Sequence, residues 1–569
     1  MIFKKNLLWI FLGIWLAINL LQAYFTGLFN DEAYYFFYSL DLSWGYYDHP
    51  PLIAIFIKLG YLIFNNELGV RILIVLLSLC TILIIYKLSE VKNDLLFGVL
   101  IFSFMIFQIT GFLALPDSLL LFFTALFFLV YKSYTEESNM LNALLLGVVM
   151  AGMLYSKYLG IMIIFFTVMS NYRLLFKRSF WLAVVVTTVL FIPHLIWQYR
   201  HDFPSFYYHL LERSHDEVFR WSNFGDYIIG QFGMTNPILF IPILYFIIRF
   251  KPLNLFDRSL KFTALGSLLL PFLLMLKGRV EANWTMAGLI PVFLIAFRIF
   301  ASRPKLHRYL YYTGGISLVL ILLIRILLVH NFLPEKYHKQ IKALSTGWEA
   351  FSEEVSALAE NRSVVFIGSY QNPSQYMFYT GKDAFSFNNA LYRNNQFDLE
   401  GIEEQLQGRE VLIFIPKRNL NRDEMDDYNI QLTDSLALPT GSTQYYHIEN
   451  NFRSYNFLQT DILLNNHDVK AGTEVTIPVI LRNPGDRPVY FNEAEPGRVF
   501  LTFVLLQNGK PVIYEKFEDI SHLVLKDEYK TSFRMKVPDK PGVYYLKISI
   551  KSRWLPPGIN SRLFKIRVK

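Results

Sequence analysis

Asn30-Asp31-Glu32-Ala33-Tyr34-Tyr35, followed shortly by Tyr47-Asp48-His49-Pro50-Pro51-Leu52, is the stretch on which the reading of this chain turns. It begins just after the first long apolar run, residues 7–25. An acidic pair, paired tyrosines and a proline pair therefore stand where a chain of this kind leaves a bilayer. Ionisable groups are expensive at that depth and usually mark chemistry there. A solvated loop is the ordinary reading of an acidic pair after a span, so the rest of the chain must decide.

Composition gives the setting. The 569 residues are 53% hydrophobic and 17% aromatic, above the roughly 45–50% apolar content of soluble domains. The excess lies almost wholly in residues 1–330, while the remainder reads as soluble sequence. This predicts a polytopic α-helical membrane protein with a large soluble tail, divided as 1–332, 333–455 and 456–569. The net charge of +8 does not point to nucleic acid, because Lys and Arg cluster in short loops between apolar runs, as cytoplasmic loops do. The single cysteine, Cys80, can form no intramolecular disulfide. Residues 1–25 read as an uncleaved first span, since no small-x-small cleavage site follows the apolar run.

About eleven spans are predicted, near 7–25, 69–86, 94–113, 118–131, 140–155, 159–171, 180–198, 236–249, 259–276, 284–300 and 309–329. With Lys4 and Lys5 inside, the inner loops receive Lys87 and Lys92, then Arg173, Lys177 and Arg178, then Arg249 to Lys261, then Arg298 to Arg308. Charge and span alternation agree. Asp31, Glu32, Asp48, His49, Asp117, Lys157, segment 199–235 and Glu281 then share the outer side, as an active site requires. Residues 32–42 and 51–64 are too short or too punctuated to span and read as helices lying in the interface, the second starting at Pro50-Pro51.

These motifs carry a resemblance. The Asp31-Glu32 loop, Asp48-His49-Pro50-Pro51, Leu115-Pro116-Asp117-Ser118, Tyr155-Ser156-Lys157-Tyr158 and Trp197…Ser205-Phe206…Arg213 resemble the GT-C-type membrane glycosyltransferases. The similar branch is the bacterial one related to protein mannosyltransferases and the aminoarabinose transferase, over roughly residues 1–400. Lys277-Gly278-Arg279-Val280-Glu281-Ala282-Asn283-Trp284 is similar to a later loop of that family.

The resemblance implies roles. Asp31 falls at the family's catalytic aspartate, a base for the acceptor hydroxyl; Glu32 either pairs locally or binds acceptor. Asp117 falls at a second aspartate, catalytic or orienting, with a plain helix cap as the alternative. Asp48, His49 and Tyr35 are candidate substrate contacts. His49 stands where the aminoarabinose transferase branch has a lysine, and it donates to phosphate with a charge that varies near neutrality. Lys157 is the first candidate for a donor phosphate, its ordinary alternative being a helix-end anchor; Arg213, Lys277 and Arg279 are weaker ones. His201, Asp202 and Glu281 are candidates for the divalent cation some relatives use, but their spacing lacks a tight ligand pattern, and no metal site is expected.

In the soluble tail, apolar runs such as Val364–Ile367 and Val411–Ile415 alternate with helical stretches, predicting an α/β module. No phosphate-binding glycine motif occurs, so no nucleotide site is expected. From about 456, period-two strands separated by turns such as Asn483-Pro484-Gly485-Asp486 predict an immunoglobulin-like sandwich.

The expected function is sugar transfer from a polyprenyl-phosphate donor to a lipid, glycan or protein acceptor at the outer face of the cytoplasmic membrane, with membrane lipids as the other partner. A transporter or flippase is the first alternative, but it calls for internal repeats and mid-membrane charges; a non-catalytic envelope binding protein is the second.

Overall fold

A computed structural model describes residues 7–212, 220–330, 332, 344–428, 430–464, 467–494 and 498–569. Contacts divide the chain into two compact units. The first comprises residues 1–205 and 217–341, the second residues 206–216 and 342–569.

Among the described residues of the first unit, seven helices have the length and apolarity to cross a membrane. They are Leu7–Phe25, Glu67–Ser89, Pro116–Glu136, Arg178–Arg200, Leu255–Met275, Ala282–Ala301 and Pro304–Val329. Shorter apolar helices occupy Asp94–Ser103, Met140–Ser156, Gly160–Ser170 and Phe240–Arg249, where the sequence also predicts spans. The protein is thus a multi-pass membrane protein. Large apolar side chains such as Trp9, Leu21, Val189 and Ile241 remain exposed on these helices; lipid is the solvent that makes such exposure stable. The Ala282–Ala301 helix is the most enclosed of the seven. Its Phe293 meets Phe97, Phe104 and Phe107 edge-on, with ring centroids 5.6, 5.3 and 5.4 Å away, an arrangement aromatic quadrupoles favour.

The span predicted at 94–113 is broken. Asp94–Ser103 ends at Phe104, whose backbone is extended, and Met105–Thr110 begins anew. The cause lies far along the chain: Met105 donates its N–H to the Thr235 carbonyl at 3.0 Å, and the Asn236 amide donates to the Ser103 carbonyl at 2.9 Å. These bonds satisfy the backbone groups that a break inside a membrane would otherwise orphan. The two pieces expected to lie in the interface form Asn30–Leu40 and Leu52–Tyr61.

The second unit contains a mixed sheet of β1 (Ser363–Ile367), β2 (Ala384–Phe387), β3 (Val411–Pro416), β4 (Asp434–Ala437) and β5 (Thr443–Glu449), in the order β2-β1-β3-β5-β4. β1 runs parallel to β2 and β3, and β5 pairs antiparallel with β3 and β4. The central strands are buried along nearly their whole length, as strands with parallel neighbours usually are.

Beyond it the chain is β-rich. β6 (Gln459–Ile462), β8 (Glu474–Arg482) and β13 (Glu528–Lys536) form one sheet in the order β13-β8-β6. β7 (Asp468–Val469), β10 (Val499–Gln507), β11 (Lys510–Asp519), β14 (Gly542–Ser552) and β15 (Phe564–Val568) form another, in the order β11-β10-β14-β15-β7. β9 (Val489–Tyr490) and β12 (Val524–Leu525) make a small pair. Ile477, Val479 and Phe533 of the first sheet share one buried core with Phe503, Leu546, Ile548 and Ile566 of the second, so the two sheets pack face to face.

The short piece 206–212 belongs to this unit although it follows the Arg178–Arg200 span. Leu563 donates its N–H to the Tyr207 hydroxyl at 2.6 Å, and the Arg562 guanidinium lies 4.8 Å from the Tyr207 ring. Arg393 sits 4.8 Å from each of the Tyr208 and Tyr370 rings. With Arg562 exposed and Arg393 half-buried, contacts of this kind are worth about 0.5–1 kcal/mol each.

Candidate active site

The Asp31 helix, Asn30–Leu40, begins with two carboxylates of opposite fate. Successive helical residues point about 100° apart, so Asp31 and Glu32 cannot face the same surroundings. Asp31 is exposed. Glu32 is fully buried and pairs locally. Its Oε1 accepts from Arg71 Nε at 2.8 Å, and its Oε2 from Arg71 Nη2. It also accepts the Phe29 N–H at 3.1 Å, capping its own helix, and the Ala114 N–H at 2.8 Å. Arg71 spends its remaining donors on the carbonyls of Ala23, Thr26 and Gly27. One buried ion pair therefore ties together the end of the first span, the start of the Asp31 helix and the segment leading to Asp117.

Asp117 opens the Pro116–Glu136 helix and Lys157 closes Met140–Ser156 as its C-cap. An acid at a helix N-terminus and a cation at a C-terminus each complement the local dipole. The two meet: Lys157 Nζ donates to both Asp117 oxygens at 2.8 Å, and their side chains are only 11% and 7% exposed. Asn283 adds a longer contact to Asp117 Oδ2 at 3.4 Å, bringing the loop 277–284 to the same place. Arg279, by contrast, is exposed and pairs with Glu281 at 3.1 Å. Lys277 is exposed as well, and Arg213 lies outside the described residues.

The Asp48-His49 loop faces the aromatic side of the Asp31 helix. The Tyr38 hydroxyl donates to Asp48 Oδ1, and the Tyr35 hydroxyl meets His49 Nε2 at 3.2 Å. Tyr46 stacks on Tyr38 with centroids 4.2 Å apart. Asp48 and Tyr35 are nearly buried.

His201 bonds its Nδ1 to the Trp197 carbonyl at 2.8 Å and stacks on the Trp197 ring. Asp202 sits in the left-handed region with φ of 58°. Among the described residues, no three His, Cys, Asp or Glu side chains gather to hold a metal ion, and no chemical step here is assigned to one. Arg71 escaped the sequence reading, although it stands as a lone cation near the start of an apolar run; Asn283 was quoted there only as part of the 277–284 motif, with no role of its own.

With this geometry in view, the likenesses to known proteins fall into place. A family model described as dolichyl-phosphate-mannose-protein mannosyltransferase matches residues 48–197. The chain is 25% identical over 382 residues to the lipid A galacturonosyltransferase RgtD of Rhizobium johnstonii, covering 63% of this chain and 79% of that protein. ArnT from Cupriavidus metallidurans in the apo state has the same fold, with a TM-score of 0.54 at 12% identity over 77% of this chain and 97% of that one. ArnT bound to undecaprenyl phosphate matches with a TM-score of 0.52, at the same identity and coverage. Fold and matches together make the chain a membrane glycosyltransferase similar to those of the GT-C type. Within that class, the chain is similar to the branch that draws sugars from polyprenyl phosphates.

Proposed function

We propose that this protein transfers a sugar from a polyprenyl-phosphate donor to a lipid, glycan or protein acceptor of the cell envelope, at the outer face of the cytoplasmic membrane. The observation that carries the reading is the buried Asp117–Lys157 pair at the ends of two spans, held beside the Glu32–Arg71 node that fixes the Asp31 helix. RgtD acts on lipid A by its name, and ArnT takes undecaprenyl phosphate into the same fold; both favour a lipid-linked donor and an acceptor of lipid character.

In this reaction the acceptor oxygen bonds to the anomeric carbon as the bond from that carbon to the donor phosphate oxygen breaks. Asp31 takes the acceptor proton, and the polyprenyl phosphate leaves with the bonding electrons. Lys157 and His49 offset the charge that grows on the leaving phosphate, where preorganised donors act most strongly. Asp117 orients Lys157, and Asp48 orients the loop that carries His49.

The C-terminal unit is read as extracytoplasmic, with an α/β module over 333–455 that helps select the acceptor and an immunoglobulin-like sandwich over 456–569 that serves binding or spacing. The test of the catalytic reading is Asp31→Asn in the purified full-length chain, with an undecaprenyl-phosphate-linked sugar and extracted envelope lipids. Transfer should fall by about 10²–10⁴ while undecaprenyl phosphate still binds. Activity within a few-fold of wild type overturns the assignment of Asp31.

A further inference from the structure

The Trp197…Ser205 pattern finds no role in the chemistry above, yet Gln198 and Ser205 within it, and His194 one turn before, are buried polar side chains. His194, Gln198 and Ser205 all have 0% exposure. His194 Nδ1 lies 2.7 Å from the Trp44 carbonyl, and its Nε2 lies 2.8 Å from the Tyr158 hydroxyl. The Gln198 amide nitrogen lies 3.1 Å from that hydroxyl and 2.7 Å from Ser205 Oγ. Ser205 Oγ lies 2.9 Å from the Tyr46 carbonyl.

The protons in this chain can be placed by counting. A carbonyl only accepts, so His194 donates through Nδ1 to Trp44, and the neutral ring, buried at 0% exposure, keeps a lone pair on Nε2. Tyr158 spends its one proton on that lone pair, and Ser205 spends its one proton on the Tyr46 carbonyl. Both hydroxyl oxygens must then accept, and the Gln198 NH₂ supplies the two donors they need. Each link dictates the next, and both ends fall on backbone carbonyls of one loop, Trp44 and Tyr46. That loop leads directly into Asp48 and His49. The middle of the chain is Tyr158, the residue after Lys157.

We propose that His194 and Gln198 are positioning residues that hold the Asp48-His49 loop in register with the Lys157 turn, so that both meet one donor phosphate. This rests on the reading given under Proposed function and adds to it the device that sets donor affinity. Neither residue touches substrate. A misplacement of about 1 Å in such groups is worth about 10²-fold, and it should appear in binding of the phosphate.

The experiment measures undecaprenyl phosphate binding and saturated turnover in the full-length protein for wild type, His194→Leu, His194→Asn, Gln198→Leu, His49→Ala and Lys157→Ala. His194→Leu and Gln198→Leu should weaken binding about 10–100-fold per folded molecule and also slow turnover at saturating donor, because the two groups they hold face the phosphate as it leaves. His194→Asn keeps an N–H in the place of Nδ1 and should recover part of the loss, which a merely structural role would not produce. If His194→Leu does not accumulate as folded protein, Gln198→Leu and Ser205→Ala carry the same test from the other end of the chain. Wild-type affinity in the leucine variants overturns the positioning role. Unchanged affinity in both His49→Ala and Lys157→Ala overturns instead the phosphate site itself, so the two failures are distinguishable.

Discussion

Removing Arg71 should show how much of the fold depends on one ion pair. Arg71→Met leaves the Glu32 carboxylate at 0% exposure with only the Phe29 and Ala114 N–H groups as partners. Breaking a buried pair from one side costs about 3–5 kcal/mol, because the surviving charge stays buried and uncompensated. Glu32→Leu should cost a similar amount by stranding the guanidinium. The double variant Glu32→Leu/Arg71→Met removes both charges. It still strips the Phe29 and Ala114 N–H groups and the Ala23, Thr26 and Gly27 carbonyls of these partners, but each of those losses is already contained in one of the singles. What the double lacks is the uncompensated buried charge of either single, so the singles together should exceed the double by about 4 kcal/mol. Equilibrium unfolding in mixed micelles, followed by circular dichroism, measures all three. Additivity within about 0.5 kcal/mol would refute the reasoning, since independent sites add and a shared buried pair does not.

In the soluble unit, burial pushes the Glu403 carboxyl from 4.5 up to about 8, and Asp398 from 3.8 up to about 7. Folded values above unfolded ones mean that ionisation opposes folding, so stability present below pH 4.5 is lost progressively as pH rises toward 8. For Glu403 the span from 4.5 to about 8 corresponds to roughly 5 kcal/mol at most. Glu403→Gln should flatten the loss of thermal stability of the unit between about pH 5 and 8; an unchanged slope counts against it. A reporter active only in the cytoplasm, fused after Lys569, should stay silent if the C-terminal unit is extracytoplasmic. A strong signal would move the whole outer face to the other side.

The seven long apolar helices, the two short helices after the first of them and the β-rich end were legible because each writes a local periodicity into the sequence. The Asp117–Lys157 encounter was foreshadowed too: both residues punctuate apolar runs, and the charge alternation put them on one side. What stayed hidden was set by contacts between distant residues. Neither proline nor glycine marks the break at Phe104; Thr235 and Asn236 impose it from elsewhere in the chain. Asp31 and Glu32 are adjacent and chemically alike, and only Arg71 reveals which one is turned inward. His194 lies in an apolar helix where a buried histidine has no distinctive spacing. Its partners, Trp44 and Tyr158, are named only by the folded chain.

The bond from Leu563 to Tyr207 joins residues 356 apart in sequence, and this bears on timing. Segment 206–212 leaves the ribosome early, between helices that can already insert, yet the partners of its tyrosines at 393, 562 and 563 are made much later. The piece must therefore wait, solvated and unsatisfied, until the last strands of the chain have been synthesised. A truncated product would be left with two tyrosine rings uncovered beside the Trp197–Ser205 segment. Completion of the C-terminal strands is thus what finishes this loop, and an incomplete chain carries a visible flaw for surveillance proteases to find.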